Sequence, residues 1–207
     1  MKEKIAVVGS GEYANQIRDF IENYSDYEFA GFIDNNVIEE SVLCDDDHIL
    51  DCFSDKKFDK LFMGVGYANF KLRSLLFEKF KNMGFSFATL IHPTAFVHCK
   101  AHLGEGCYVG PNSVVLKDAI LEENVGLMTN VLVGHNDHIG TNTYIAGMAA
   151  LAGYVEIGAC CFIGLNSTFR DHAKVADNTT IGCASNVVKD ILEPNHTYAG
   201  NPAKLIR

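Results

Sequence analysis

The order of apolar and polar positions divides the chain near residue 91. Before that point, short apolar runs alternate with helical spacing. Ile5 to Val8 is an apolar run closed by Gly9-Ser10-Gly11. Residues 12–23 follow with Ala14, Ile17, Phe20 and Ile21 on one face, the spacing of an amphipathic helix. Phe29 to Ile33 is a second run, ending in Asp34-Asn35-Asn36, and Leu61 to Val65 a third, ending at Gly66. Residues 68–83 carry Phe70, Leu72, Leu75, Leu76 and Phe80 and predict a second helix. Phe85 to Ile91 predicts a fourth strand. Strand, glycine turn, helix and strand in this order describe a small Rossmann-like α/β domain over residues 1–90.

After residue 91 the period becomes six. From Val97, steps of six reach Leu103, Val109, Val115, Leu121, Leu127, Val133 and Ile139. They continue through Ile145, Leu151, Ile157, Ile163, Phe169, Val175, Ile181 and Val187. Every position in the series is aliphatic or Phe. Two residues before each lies a small or β-branched residue, with one exception, Asp137. Glycine follows the aliphatic position seven times, at Gly134 and Gly140 among others. A helix cannot sustain this period and a flat strand repeats every two residues. A parallel β-helix of hexapeptides can, with three flat sides and 18 residues per coil. The expectation for 91–207 is therefore five to six coils and a closing segment, with the aliphatic and small slots facing inward.

Net charge is −9, from 17 basic and 26 acidic residues, which argues against a partner that is nucleic acid or an anionic membrane. No apolar run reaches the length of a membrane span, and the opening Met-Lys-Glu-Lys-Ile-Ala-Val-Val-Gly lacks the plan of a signal peptide. A cytoplasmic protein is the expectation. Seven cysteines, an odd number without a CxxC pair, read as small buried hydrophobes rather than as a disulfide framework or zinc cage.

Two places carry candidate chemistry. Gly9-Ser10-Gly11-Glu12-Tyr13-Ala14 is G-x-G-x-x-A between a strand and a helix, a loop that lets backbone N–H groups approach phosphate. Asp34 ends the second strand, where ribose-binding acids lie. The motif alone predicts a dinucleotide, but residues 1–90 hold one half of a doubly wound unit, and no dehydrogenase domain follows. In the repeat, His135 stands two residues after the inward Val133, near a corner where a side chain can leave the core. One coil on from His135 is Gly153, whose backbone N–H would lie open beside it.

The period, the Rossmann-like head, Gly-His-Asn-Asp-His-Ile-Gly at 134–140 and Gly-Asn-Pro-Ala-Lys-Leu-Ile at 200–206 together resemble one family over essentially the whole chain. It is the sialic-acid O-acetyltransferase-like family of left-handed β-helix sugar acyltransferases. One branch N-acetylates the 4-amino group of nucleotide-linked sugars, as in bacillosamine and perosamine biosynthesis. The resemblance implies acetyl-CoA as acyl donor, no metal, a nucleotide-linked amino sugar as acceptor, and a homotrimer with coenzyme A between neighbouring prisms. It implies His135 as general base and the Gly153 N–H as oxyanion donor, with direct transfer. Tyr144 matches a second family histidine, and Leu165 and Cys183 match positions lining coenzyme A. In the head, Ser10, Gly11 and Glu12 match the phosphate-side loop, Asp34 and Asn35 the base-contacting pair, and Gly66 a third loop.

One departure bears on mechanism. The family places an acid directly after the histidine; here Asn136 follows, and the acid is Asp137, on an inward slot. Two accounts stand open: Asp137 reaches the imidazole in place of the missing acid, or it satisfies groups inside the coil while His135 works with Asn136. The alternatives to N-acetyl transfer are sugar O-acetylation, a nucleotide-sugar-binding protein without catalysis, and a nicotinamide oxidoreductase. A zinc-dependent β-helix enzyme, using His98 with His102, or His135 with His138 and His172, does not fit the histidine spacing.

Overall fold

The computed structural model describes residues 2–37 and 39–207. The chain forms two compact units that meet at Thr89 and Leu90.

The first unit is a parallel sheet of β1 (Lys4–Val8), β2 (Glu28–Ile33), β3 (Val42–Cys44) and β4 (Lys60–Met63), in the order β3-β2-β1-β4. Strand β1 is central and apolar on both faces, as a parallel strand covered by helices must be. Helix α1 (Glu12–Tyr24) buries Ala14, Ile17, Phe20 and Ile21, the face the spacing predicts. It approaches the sheet closely at Gly64, where an added Cβ would lie 2.5 Å from Val7 and 2.8 Å from the Ala14 methyl.

Three features differ from the sequence pattern. Helix α3 (Phe70–Asn82) buries Arg73, Phe77 and Phe80, leaving Leu72 and Leu75 exposed. Its inward stripe is turned because Arg73 donates from Nη1 to the carbonyls of Val65 and Met63 at the end of β4. A short α2 (Ile49–Ser54) and β3 occupy a stretch of mixed polarity that carries no clear period. Phe85–Ile91 is not a fourth strand of the sheet. Phe87 makes one isolated bridge to Leu61, while Phe85 and Phe87 pack as ring contacts on Phe80, Phe58 and Phe77, and Leu90–Ile91 pairs with Tyr108–Val109 of the second unit.

The second unit is a β-helix. All sixteen positions of the six-residue series are the second residue of a two-residue strand. The strands pair in parallel with residues 18 positions on, as Ile120 with His138 and Ile139 with Ile157, and stack into sheets of five, six and eight strands. From Val109 onward every member of the series is buried. Each aliphatic side chain removed from water contributes about 1.5–3 kcal/mol, so the column of stacked Val, Ile and Leu is the main stabilising element. The corners repeat as well. From Asn112 to Ala184, every sixth residue has φ between 53° and 62°. Asn adopts this left-handed region at lower cost than most side chains, which accounts for Asn112, Asn124, Asn130, Asn136, Asn142, Asn166 and Asn178 at these positions. The antiparallel pair Thr197–Ala199 and Lys204–Leu205 closes the eight-stranded sheet.

Candidate functional site

The corner between the strands Leu132–Val133 and His138–Ile139 carries His135, Asn136 and, one coil on, Gly153. His135 is exposed, and its Nδ1 lies 3.1 Å from Asn136 Oδ1. An amide oxygen only accepts, so in this arrangement Nδ1 is the donor, and in the neutral ring the lone pair lies on Nε2. Nε2 points at Gly153, where an added Cβ would lie 2.6 Å from both Nε2 and Cε1. Glycine at 153 therefore makes room for the imidazole, a role that coil arithmetic alone does not reveal. The Gly153 carbonyl accepts from His172 N, while its own N–H meets no acceptor among the described residues. The corner thus offers a basic nitrogen and an open N–H side by side.

Asp137 is fully buried. Its Oδ2 accepts from Gly134 N at 2.6 Å and its Oδ1 from Val155 N at 2.8 Å. Burial pushes its carboxyl up to about 6, against the lowering pull of the Val155 and Gly134 N–H groups and of the His135 imidazole. Of the two accounts of this acid, the hydrogen bonds are those of a group that satisfies the coil interior, with Asn136 at the imidazole.

Two further residues join this corner: Tyr154, unremarked in the sequence, and His172, considered there only as a metal ligand. Tyr154 meets the His135 ring edge-on at 5.2 Å and stacks on His172 at 4.7 Å, with ring planes 4° apart. Their signal was the same 18-residue step, taken from Asn136 to Tyr154 to His172.

Within one chain the other predicted positions lie elsewhere. Tyr144 is on the eight-stranded sheet, buried and stacked with Phe162 at 6.0 Å. Leu165 and Cys183 are exposed, one coil apart, on the corner between the eight- and six-stranded sheets. No group of three or more His, Cys, Asp or Glu among the described residues could hold a metal ion.

In the first unit, the ends of β1, β2 and β4 gather the predicted loops. Ser10 Oγ donates to Asp34 Oδ2 at 2.8 Å, and Asn36 N–H donates to the other Asp34 oxygen at 2.8 Å. Gly11 precedes α1 without a capping side chain, and nothing lies within 4 Å of an added Cβ, so the helix N-terminus is open beside Glu12. Gly66 packs against Tyr13, bringing the third loop to the first. A cavity of about 140 Å³ lies beside them, lined by Gly9, Asp34, Asn35, Asp46, Val65 and Phe80 among others. Asn35 Oδ1 accepts from Asp46 N at 2.9 Å. Burial raises the Asp46 carboxyl, but the Lys79 ammonium and Asn35 amide more than offset this and hold it below the ordinary range. Asp46 and Lys79 extend the predicted set and lie too far along the chain for any motif to connect them. No helix among the described residues is long and apolar enough to cross a membrane.

Comparison with known proteins agrees with this layout. A family model described as the PglD N-terminal domain matches residues 4–80. The acetyltransferase domain of PglB from Neisseria gonorrhoeae FA1090 superposes with a TM-score of 0.89 at 28% identity, covering 99% of this chain and 100% of that one. The same domain is known in complex with acetyl coenzyme A. PerB from Caulobacter crescentus, in complex with CoA and GDP-perosamine, has the same fold, with a TM-score of 0.90 at 24% identity over 99% of this chain and 97% of that one. UDP-3-O-acylglucosamine N-acyltransferase from Cupriavidus pinatubonensis (strain JMP 134 / LMG 1197) is 35% identical over 121 residues, 54% of this chain and 33% of that protein. The chain spans about a third of the length of the curated relatives it matches. Residues 4–80 thus match the PglD N-terminal domain model, a β-helix follows, and the fold is that of the PglB acetyltransferase domain and of PerB.

Proposed function

We propose that the protein is an acetyl-CoA-dependent N-acetyltransferase acting on the amino group of a nucleotide-linked amino-deoxy sugar. The observation that carries this reading is the His135 corner, where Nδ1 is held by Asn136 and Nε2 faces a glycine whose N–H is open. Acyl transfer from a thioester needs a base for the attacking amine and a donor for the tetrahedral oxyanion. His135 Nε2 takes the amine proton, the Gly153 N–H steadies the oxyanion, and the thiolate of coenzyme A leaves. No covalent enzyme intermediate is required. The acetyl coenzyme A held by the PglB domain and the GDP-perosamine held by PerB support a thioester donor and a nucleotide-sugar acceptor. In the head, the Ser10–Glu12 loop would face the phosphates, with Asp34, Asn35 and Gly66 around the nucleoside. Assembly as a homotrimer would bring the edge bearing Leu165 and Cys183, and the neighbouring Tyr144, to the His135 edge of the next copy.

Asn136 favours keeping a second reading in the test. Uncharged, it polarises the imidazole less than a carboxylate would, so a hydroxyl acceptor is carried in the test as the competing substrate class.

The experiment is thiol release from acetyl-CoA with UDP-, dTDP- and GDP-linked 4-amino sugars and with hydroxyl-only analogues, wild type beside His135→Ala. The expected result is turnover with one amino sugar and a loss of at least a hundredfold in the variant, the scale of a missing general base. A loss below tenfold, under about 1.4 kcal/mol of transition-state stabilisation, would remove His135 from that role. Silence across the amino sugars would overturn the N-acetyltransferase reading.

A further inference from the structure

Along the β-helix, the residue after each inward aliphatic position gives its N–H to the carbonyl of the stacked strand. Leu116 donates to Val133 at 3.1 Å, Gly140 to Ile157 at 2.8 Å and Ala152 to Phe169 at 3.2 Å. The donation recurs every six residues from His92 to Gly182, and among the described residues Gly134 alone departs from it. Its N–H turns to Asp137 Oδ2 instead, at 2.6 Å. The strand register records the same break. Leu132 pairs with Ala150, but Val133 has no partner in Leu151, whereas the other stacked pairs keep both rungs.

At Ser113, Thr143 and Ser167 the slot that Asp137 fills is a donor slot. Ser113, Thr143 and Ser167 each give a hydroxyl proton to the carbonyl 15 residues on, at 2.6, 2.8 and 3.0 Å. The same hydroxyls of Ser113 and Thr143 accept the N–H 18 residues on, both at 3.0 Å. Asp137 keeps the second contact, through Val155 N, and replaces the first with an acceptance from Gly134 N. One buried carboxylate therefore ties the residue before His135 to the residue two after Gly153. Residue 134 must also be glycine here, since a Cβ would lie 2.1 Å from the Ala152 oxygen.

We propose that Asp137 is a positioning residue, whose two backbone hydrogen bonds set His135 and the Gly153 N–H at the separation acyl transfer requires. The proposal rests on the reading of these two groups as base and oxyanion donor. In it the acid the family places beside the histidine is absent, and an acid behind the corner fixes geometry rather than ring charge. The carboxylate touches no substrate; it acts through the backbone on either side.

Asp137→Ser is the discriminating variant, because the fold already accepts serine in this slot at Ser113 and Ser167. A serine keeps the Val155 contact, regains a donor for the Ala152 carbonyl and releases Gly134. The expected result is a protein that melts like wild type, with kcat reduced ten- to a hundredfold and KM for acetyl-CoA within threefold. In a His135→Ala background the same change should cost nothing further, because the two act as one unit. The ring nitrogen shifts of His135, read by NMR without any substrate, should move in Asp137→Ser. A kcat within threefold of wild type, a loss that adds in full to that of His135→Ala, or unmoved ring nitrogen shifts would overturn the proposal. Should wild type turn over no acceptor, the function reading fails on its own, and the NMR comparison still decides the positioning role.

Discussion

At the scale of single residues, Gly153 carries the sharpest constraint on the candidate site. An added Cβ would meet His135 Cε1 and Nε2 at 2.6 Å. No real Cβ tolerates that approach, so the ring must move. The backbone at 153 is outside the positive-φ region, so alanine strains only the imidazole and not the corner itself. Gly153→Ala is expected to lower turnover at least tenfold while the melting temperature stays within about 2 °C, a surface change without core loss. Activity assays beside thermal unfolding check this. Full activity would mean that the ring orientation seen here is not the one turnover uses. The sequence made His135, Asn136 and Gly153 legible as neighbours, because an 18-residue step is arithmetic. It left the steric reason for Gly153 hidden, because which way a ring points depends on the Asn136 amide that holds Nδ1. Asn136 itself has a local reason. With φ at 60°, its position favours Asn over most side chains.

At the scale of elements, the β-helix was readable almost residue by residue and the head was not. A coil repeats one environment, so each aliphatic slot confirms the next. In the head, Phe85–Ile91 has strand composition, yet its aromatic rings are used against Phe58, Phe77 and Phe80 rather than in a ladder. Composition does not separate these uses. Within the coil, Asp137 makes stability depend on pH. Its folded pKa of about 6 lies above the roughly 3.9 of an unfolded Asp, so the fold binds its proton more tightly than the unfolded chain. This contribution is fully present below about pH 4 and is lost as pH rises through 6, on the order of 3 kcal/mol. Asp137→Ser has no such group. Between pH 4.5 and 7.5 the urea midpoint of wild type should therefore fall relative to that of the variant. Parallel midpoints across the interval would show that the buried carboxyl titrates as in water.

At the scale of the whole molecule, the proposed homotrimer makes a demand on the prism's edges: the site residues that lie apart in one chain must meet between copies. The His135 corner borders the six-stranded sheet on one side, and the corner carrying Met148, Leu165 and Cys183 borders it on the other. A cyclic assembly through that sheet would set the first corner of each copy against the second corner of the next. The exposed side chains agree, since Phe96 and Leu132 point outward from this sheet at 52% and 38% exposure, and Met148 stands at the corner at 56%. Apolar groups clustered around one face are more characteristic of an interface than of a free surface. A closed ring of three satisfies such a head-to-tail contact without leaving an open end. Met148→Lys would then place an unpaired charge in the interface. The expected outcome is a protein with unchanged circular dichroism that sediments as a single chain and has lost acyl transfer, where wild type sediments at three times the chain mass. A variant that remains a trimer with full activity would move the interface to another face. A wild type that is active as a single chain would require Tyr144, Leu165 and Cys183 to have no part in the reaction.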